Sequence, residues 1–254
     1  MAVSEVIDQG AAVHQTEHAA RVDLASMFRM LHHLGMGYLI YSHISARVPG
    51  RDDQFLINCY DNTFDEITAS RLMKVDLQGQ RISGDGVFNR AGVAIHRAVY
   101  LARKDVNCVI HTHTVAGSAV ASLAEGLLPI SQDALEIYDD VGYHPYGVAG
   151  QQEECEALGR SCQAGNCIFL RNHGTLTMGA SMQHAFWRLF MLERACQIQM
   201  SVRSTGMPLS PISEDAIHGF SAKMKARLVS GSLGQYEWES MQRLLTRMKS
   251  DHAR

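Results

Sequence analysis

The chain has 254 residues, of which 46% are hydrophobic and 19% charged, and a formal charge of −3. That is length and apolar content enough for one large core, and so slight a charge argues against a nucleic-acid or anionic-membrane surface. No apolar run is long enough to span a bilayer, since the richest one, AFWRLFMLERACQIQM, carries Arg188, Glu193 and Arg194.

Residues 1–15 read as a loose N-terminal arm without the basic-then-apolar pattern of an export signal. From Thr16 to about Met36, Val22, Ala25, Met27, Met30, Leu31 and Leu34 recur at helical steps, and Gly35 and Gly37 end the pattern. YLIYSHISARV and QFLINCY read as strands joined by the turn chemistry of PGRDD. ITASRLMKVDLQGQRIS predicts a short helix, a strand, a Gln-Gly turn and a second short strand. Residues 89–103 predict an amphipathic helix with Ile95, Val99 and Ala102 on one face. VNCVI is a buried strand that runs into His-Thr-His-Thr and a helix near 115–124. SQDALEIYDDVGYHPYG reads as a loop, and 151–165 as a helix. CIFLRNHGTLTMG reads as two strands around a tight Asn-His-Gly corner, with helices following from 182 to about 202, near 213–229 and near 235–250. Residues 16–254 are therefore taken as a single α/β domain, its helices covering a mixed sheet and its C-terminal helices included. The six cysteines are scattered and read as buried free thiols in a reducing cytosol.

His111 and His113 stand where a buried strand ends. On a strand, residues two apart point to one face about 6–7 Å from each other, so their imidazoles can converge on one ion. With thirteen histidines in the chain, a lone His-x-His pair is a weak signal. It gains weight because His173 follows a second apolar strand, with Gly174 allowing close backbone approach. Three histidines and an open fourth position match a catalytic rather than a structural zinc site. Of the others, His96 is read as a packed or supporting residue, His144 as a loop residue able to approach the site, and His32 and His33 as surface or cap residues.

ITASRLMKVDLQG, AGVAIHRAVYLARKDVNCVIHTHTVAGSAVA, LPISQDA and NHGTLTMGAS stand here in an order and spacing that resemble the class II aldolase/adducin family from about residue 20 to residue 205. LIYSHISARV and FNRAGVAIHRAVYLAR look closer to its adducin-like branch. The resemblance implies a three-layer α/β/α sandwich with a mixed, largely antiparallel central sheet. It implies a divalent metal, usually zinc, on His111, His113 and His173, and a homo-oligomer, tetramers being common, with sites near subunit interfaces. In the family's sugar-phosphate aldolases the metal polarises the substrate carbonyl and stabilises the enediolate, while a glutamate moves the proton.

The chain departs from those enzymes at the glutamate. It follows a Ser-Ser pair one turn before the histidine matching His96, where this chain reads Arg90-Ala91-Gly92. Glycine carries no proton, both phosphate-binding serines are missing, and the phosphate loop is replaced by Tyr41-Ser42-His43-Ile44-Ser45. Glu136 and Tyr143 are candidate stand-ins for the catalytic group, against the plainer reading of solvated loop acids. Arg90 is a candidate for pairing a substrate carboxylate, the alternative being a surface salt bridge, and Ser42, His43 and Asn89 would bind substrate in the same region. The expectation is a cytoplasmic, metal-dependent aldolase-like lyase acting on a small oxygenated carbonyl or carboxylate compound, with neither nucleic acid nor membrane as partner. The alternative is a non-catalytic, adducin-head-like oligomeric scaffold or binding protein that keeps the metal. Epimerase, dehydratase and decarboxylase chemistry would use the same enolate and is not separated by sequence.

Overall fold

The computed structural model describes residues 16–148, 150–229 and 232–254; the predicted arm, 1–15, lies outside the described residues. Thr16 opens α1 (Glu17–His33) by accepting the Ala19 N–H, with Glu17 in the electropositive first turn. The next strand, β1 (His43–Val48), starts only at His43. Tyr38–Ser42 turn instead of pairing, with Leu39 in the left-handed region at φ +46°. The reason is register: His43 faces His111, and the neighbouring strand ends one residue later, so nothing remains for residues 38–41 to pair with.

Gly50, at φ +73°, turns β1 into β2 (Arg51–Ile57). A single 3-10 turn at Ala69–Arg71 leads to β3 (Met73–Asp76) and β4 (Arg81–Ser83). Asn89 caps α2 (Arg90–Ala102) by accepting the Gly92 N–H. Then come β5 (Cys108–Thr112) and α3 (Val115–Ala121).

The segment expected to be a loop is structured. Ser131 caps α4 (Gln132–Ile137), a 3-10 turn covers Tyr138–Asp140, and β6 (Val141–His144) follows. Two of its acids are anchored by distant partners, while Asp139 stays exposed. Asp140 accepts from Arg188 at 2.7 Å and from Asn166, and Glu136 pairs with Arg227 at 3.1 Å. The remaining elements are α5 (Gln152–Ser161), β7 (Cys167–Leu170), β8 (Gly174–Gly179), α6 (Met182–Arg203), α7 (Glu214–Val229) and α8 (Gln235–Arg247).

The eight strands form one sheet in the order β4-β3-β2-β1-β5-β8-β7-β6. Every pairing is antiparallel except β6 with β7. Alternation sorts side chains to two faces. Ile44, Ala46, Leu56, Cys108 and Ile110 pack with α1, α6 and α8, where Phe28 meets Phe64 edge-on at 4.9 Å. Phe55, Val75, Val109, Ile168 and Leu176 pack with α2 and α5. A third cluster joins Phe169 and Cys167 to α3, α4, α6 and α7. The result is a three-layer α/β/α sandwich with a mixed, largely antiparallel sheet. All six cysteines are free thiols, and no helix among the described residues is long and apolar enough to cross a membrane.

Phe28 is fully buried. Phe28→Ala should therefore cost about 3–5 kcal/mol, read as a lower urea midpoint at unchanged slope; a loss below about 1 kcal/mol would show that this layer does not hold the fold.

Candidate metal centre

The period of two along β5 puts His111 and His113 on one side, and the two neighbouring strands complete the arrangement. On one edge β1 sets His43 opposite His111, and Ser42 Oγ accepts the His113 N–H at 3.4 Å. On the other edge β8 pairs Thr175 with Thr112, and the Thr175 carbonyl accepts the His111 Nδ1–H at 2.9 Å. His173 comes from the β7–β8 corner, where Asn172 takes φ +57°. A Cβ on Gly174 would lie 2.5 Å from the Thr112 carbonyl oxygen, so only glycine lets the corner close against β5.

The three rings stand with centroids 4.6, 4.7 and 4.9 Å apart. Their ligating nitrogens all lie within 4.8 Å of one another, and His111 and His113 approach Nε2 to Nε2 at 2.7 Å. The donor set fits a late first-row divalent ion. The bond from Nδ1 to the Thr175 carbonyl places the hydrogen on that nitrogen and leaves the Nε2 lone pair for an ion, the usual support of a metal-binding histidine. Burial disfavours imidazolium throughout. It holds His111 well below the usual range, reinforced by the neighbouring histidines, and brings His113 down to about 4. His173 is lowered by the same cause.

Around the cluster sit groups whose contacts explain their place. His43 and His96 are buried, with His43 Nδ1 2.7 Å from His96 Nε2 and His96 Nδ1 2.5 Å from Ser45 Oγ. Burial, aided by His111, pulls His96 down to about 3. A Cβ on Gly92 would come 2.9 Å from His43 Cδ2 and 2.9 Å from Asn89 Nδ2. The space beside residue 92, where the resemblance would place the glutamate of the family's enzymes, is thus filled by His43. Beyond His113, Thr114 donates to the buried Glu193 at 2.5 Å. Burial raises the Glu193 carboxyl, against the hydrogen bonds from Thr114, Gln197 and the Gly117 N–H. At the rim Tyr38 stacks on His113 at 6.0 Å and leans on Tyr41 at 5.6 Å, both tyrosines being half exposed.

Ser42, His43, Asn89 and the three candidate ligands are therefore gathered in one place. Arg90 is not gathered with them: it is exposed on a groove lined by Gln78, Gln80, Phe88 and Arg97 and makes no ion pair among the described residues. Glu136 lines a cleft with Trp187 and Arg188. The Tyr143 hydroxyl accepts the Leu127 N–H, with its ring between Phe169 and Arg171. Among the described residues no hydrogen bond or ring contact joins either residue to the histidine cluster. His144 ends a strand rather than lying in a loop; its nitrogens bond Ser161 and Glu154, while it shares a cleft with His173. Sequence reading missed the contact of His96 with His43 and Ser45, although the two-residue step from His43 to Ser45 and the helical phase of His96 hinted at it. It also missed Glu193 and the Tyr38 wall, for which no local signal exists.

The model of the "Class II Aldolase and Adducin N-terminal domain" family matches residues 22–200. A Pseudomonas aeruginosa protein provisionally named a class 2 aldolase is 42% identical over 94% of this chain and 93% of its own. Alpha-adducin of Mus musculus is 36% identical over 92% of this chain, a match that spans 34% of that longer protein. Among solved structures, an aldolase II superfamily protein from Pseudomonas syringae superposes with a TM-score of 0.88 at 38% identity, covering 96% of this chain and 98% of that one. L-fuculose 1-phosphate aldolase from Glaciozyma antarctica superposes with a TM-score of 0.81 at 24% identity over 94% and 92% of the two chains, a likeness of fold alone.

Two outcomes follow from the geometry. Gly92→Ala should displace His43 or Asn89 and cost about 1–3 kcal/mol, measured by thermal unfolding; a neutral result would mean that the space is not occupied as described. A histidine held at about 3, as His96 is, binds its proton more readily in the unfolded chain, whose value is the ordinary 6.5. Stability is thus intact above that value and falls as pH drops below it, by about 1.4 kcal/mol per pH unit for each such buried histidine. Urea midpoints of chelator-treated protein should decline between about pH 6.5 and pH 5; a flat profile would show that these imidazoles take up protons as readily in the fold as in the unfolded chain.

Proposed function

The chain belongs to the class II aldolase and adducin N-terminal domain family, and on that premise we propose that it is a metal-dependent, aldolase-like lyase for a small oxygenated carbonyl or carboxylate compound. The observation that carries the reading is the cluster of His111, His113 and His173, whose ligating nitrogens lie within 4.8 Å of one another at the end of the sheet. When bound there, a divalent ion, zinc suiting an all-imidazole donor set, supplies Lewis-acid polarisation of a carbonyl.

The chain's own residues do the rest. Thr175 orients His111, Ser42 braces the backbone at His113, and Glu193 fixes the turn after it through Thr114. His43 offers an imidazole beside Gly92, and Tyr38 supplies an aromatic wall for the C–H face of a small substrate. Arg90, the sequence candidate for pairing a substrate carboxylate, opens onto another groove, so that role is not assigned to it. Glu136 and Tyr143 are engaged in an ion pair and a backbone hydrogen bond, so the proton transfer is not assigned to them. Cytoplasmic location and a homo-oligomer, a tetramer by preference, complete the proposal. A second reading, a metal-bearing scaffold of the adducin-head kind, is favoured by one observation: Gly92 lacks a proton-carrying side chain, and His43 already fills the space beside it.

Protein purified with zinc should hold about one ion per chain and His113→Ala should lose it, by elemental analysis. The zinc form should turn over at least one member of a panel of hydroxyaldehydes and hydroxy keto acids, and the His113→Ala variant none. Full metal occupancy without turnover would favour the scaffold, and absence of metal would overturn both readings.

A further inference from the structure

Four buried side chains form a hydrogen-bonded file that ends beside the metal centre. His43 and Ser45 share a face of β1; His96 and Tyr100 lie one helical turn apart on α2. His43 Nδ1 is 2.7 Å from His96 Nε2, His96 Nδ1 is 2.5 Å from Ser45 Oγ, and Ser45 Oγ is 2.8 Å from Tyr100 Oη. Each contact holds one hydrogen, and the buried Ser45 hydroxyl has only His96 and Tyr100 among the described residues to take its own, so the direction of the Tyr100 contact fixes the others.

Tyr100 decides it. The residue is fully buried, and Ser45 is the one hydrogen-bond partner of its hydroxyl among the described residues. The phenol must donate to Ser45 or leave a buried O–H unpaired. Ser45, having accepted, gives its own hydrogen to His96 Nδ1. His96 then carries its hydrogen on Nε2 and gives it to His43 Nδ1. His43 is left with its hydrogen on Nε2. That atom has no partner among the described residues and lies 3.0 Å from the position a Cβ on Gly92 would take, on the sheet face it shares with His111.

We infer that His43 presents a fixed Nε2–H donor to a substrate oxygen at this centre, and that Tyr100, Ser45 and His96 are positioning residues that hold it in that tautomer. The substrate half of the inference rests on the enzymatic reading above; the tautomer rests on the file alone. With its hydrogen on Nε2, His43 cannot serve as a further metal ligand through that atom. Nor can it be the base that replaces the missing glutamate, unless the whole file reverses and strands the Tyr100 hydroxyl. Its chemistry suits an acceptor oxygen that gains negative charge, as a carbonyl or carboxylate oxygen does. A side chain at residue 92 would crowd that atom.

Long-range ¹H–¹⁵N correlation spectra of histidine-labelled protein test this, with His43→Gln identifying the His43 signals. The expected result is one tautomer, hydrogen on Nε2, at both His43 and His96, with and without zinc. Hydrogen on His43 Nδ1, a doubly protonated ring, or zinc-shifted Nε2 would overturn it. Tyr100→Phe should leave zinc content unchanged while His43 becomes a mixture of tautomers; a single unchanged tautomer would remove the positioning role, and the wild-type spectrum decides the donor even if that variant does not fold. Recording metal-free protein keeps the claims apart, because failure to bind zinc sinks the metal reading and leaves the His43 tautomer to be read.

Discussion

The pairing of β5 on both edges is the constraint on which the rest of the molecule depends. Side chains alternate along a strand, so a slip of one residue would send His111 and His113 to the opposite face of the sheet. The register with β1 puts His43 across from His111, and the register with β8 brings the Thr175 carbonyl to His111 and the His173 corner alongside. Both edges are antiparallel, and both helical layers pack on the sheet they define. The metal centre is therefore a consequence of strand register, secured by Gly174 at its tightest contact.

Burial then sets the chemistry. A cluster of imidazoles placed in a low-dielectric pocket would repel itself if charged, so the rings stay unprotonated and keep lone pairs for an ion. The same burial makes each remaining hydrogen bond count, because a lost one is not replaced by water. That is why groups around the ligands are paired: a carbonyl with His111, Glu193 with Thr114, and Ser45 and Tyr100 behind His96 and His43. Among the described residues the unpartnered sealed atoms, Thr177 Oγ1 and Trp187 Nε1, belong to none of these sets.

Gly92 stands where the family resemblance leads one to expect a proton-carrying glutamate. The three candidate ligands are gathered nearby, while residue 92 has no side chain and the space beside it holds an imidazole from β1. The exchange is physically coupled, since a side chain at 92 and His43 in its present position exclude each other.

Much of the architecture was legible in the chain itself, because local patterns determine local structure. Thr16 and Asn89 marked helix starts, Gly50 a hairpin, and the apolar runs at 108–110 and 167–170 the central strands. The candidate ligands His111, His113 and His173, which the fold gathers, stood out through spacing and the flanking glycine. Where local signals competed with tertiary ones, reading failed: residues 38–41 have strand composition and no strand to pair with, and Glu136 and Asp140 look like solvated loop acids yet find Arg227, Arg188 and Asn166 from distant elements. Sequence by itself determined the residue types, their two- and four-residue phases and so the elements that carry them. Tertiary structure alone decided which of those elements meet, hence that His43 fills the space at Gly92, that Arg90 faces another groove and that Tyr100 lies at the end of a file from the metal centre. These are contacts between segments far apart in the chain, and no local periodicity encodes which distant partner a face will find.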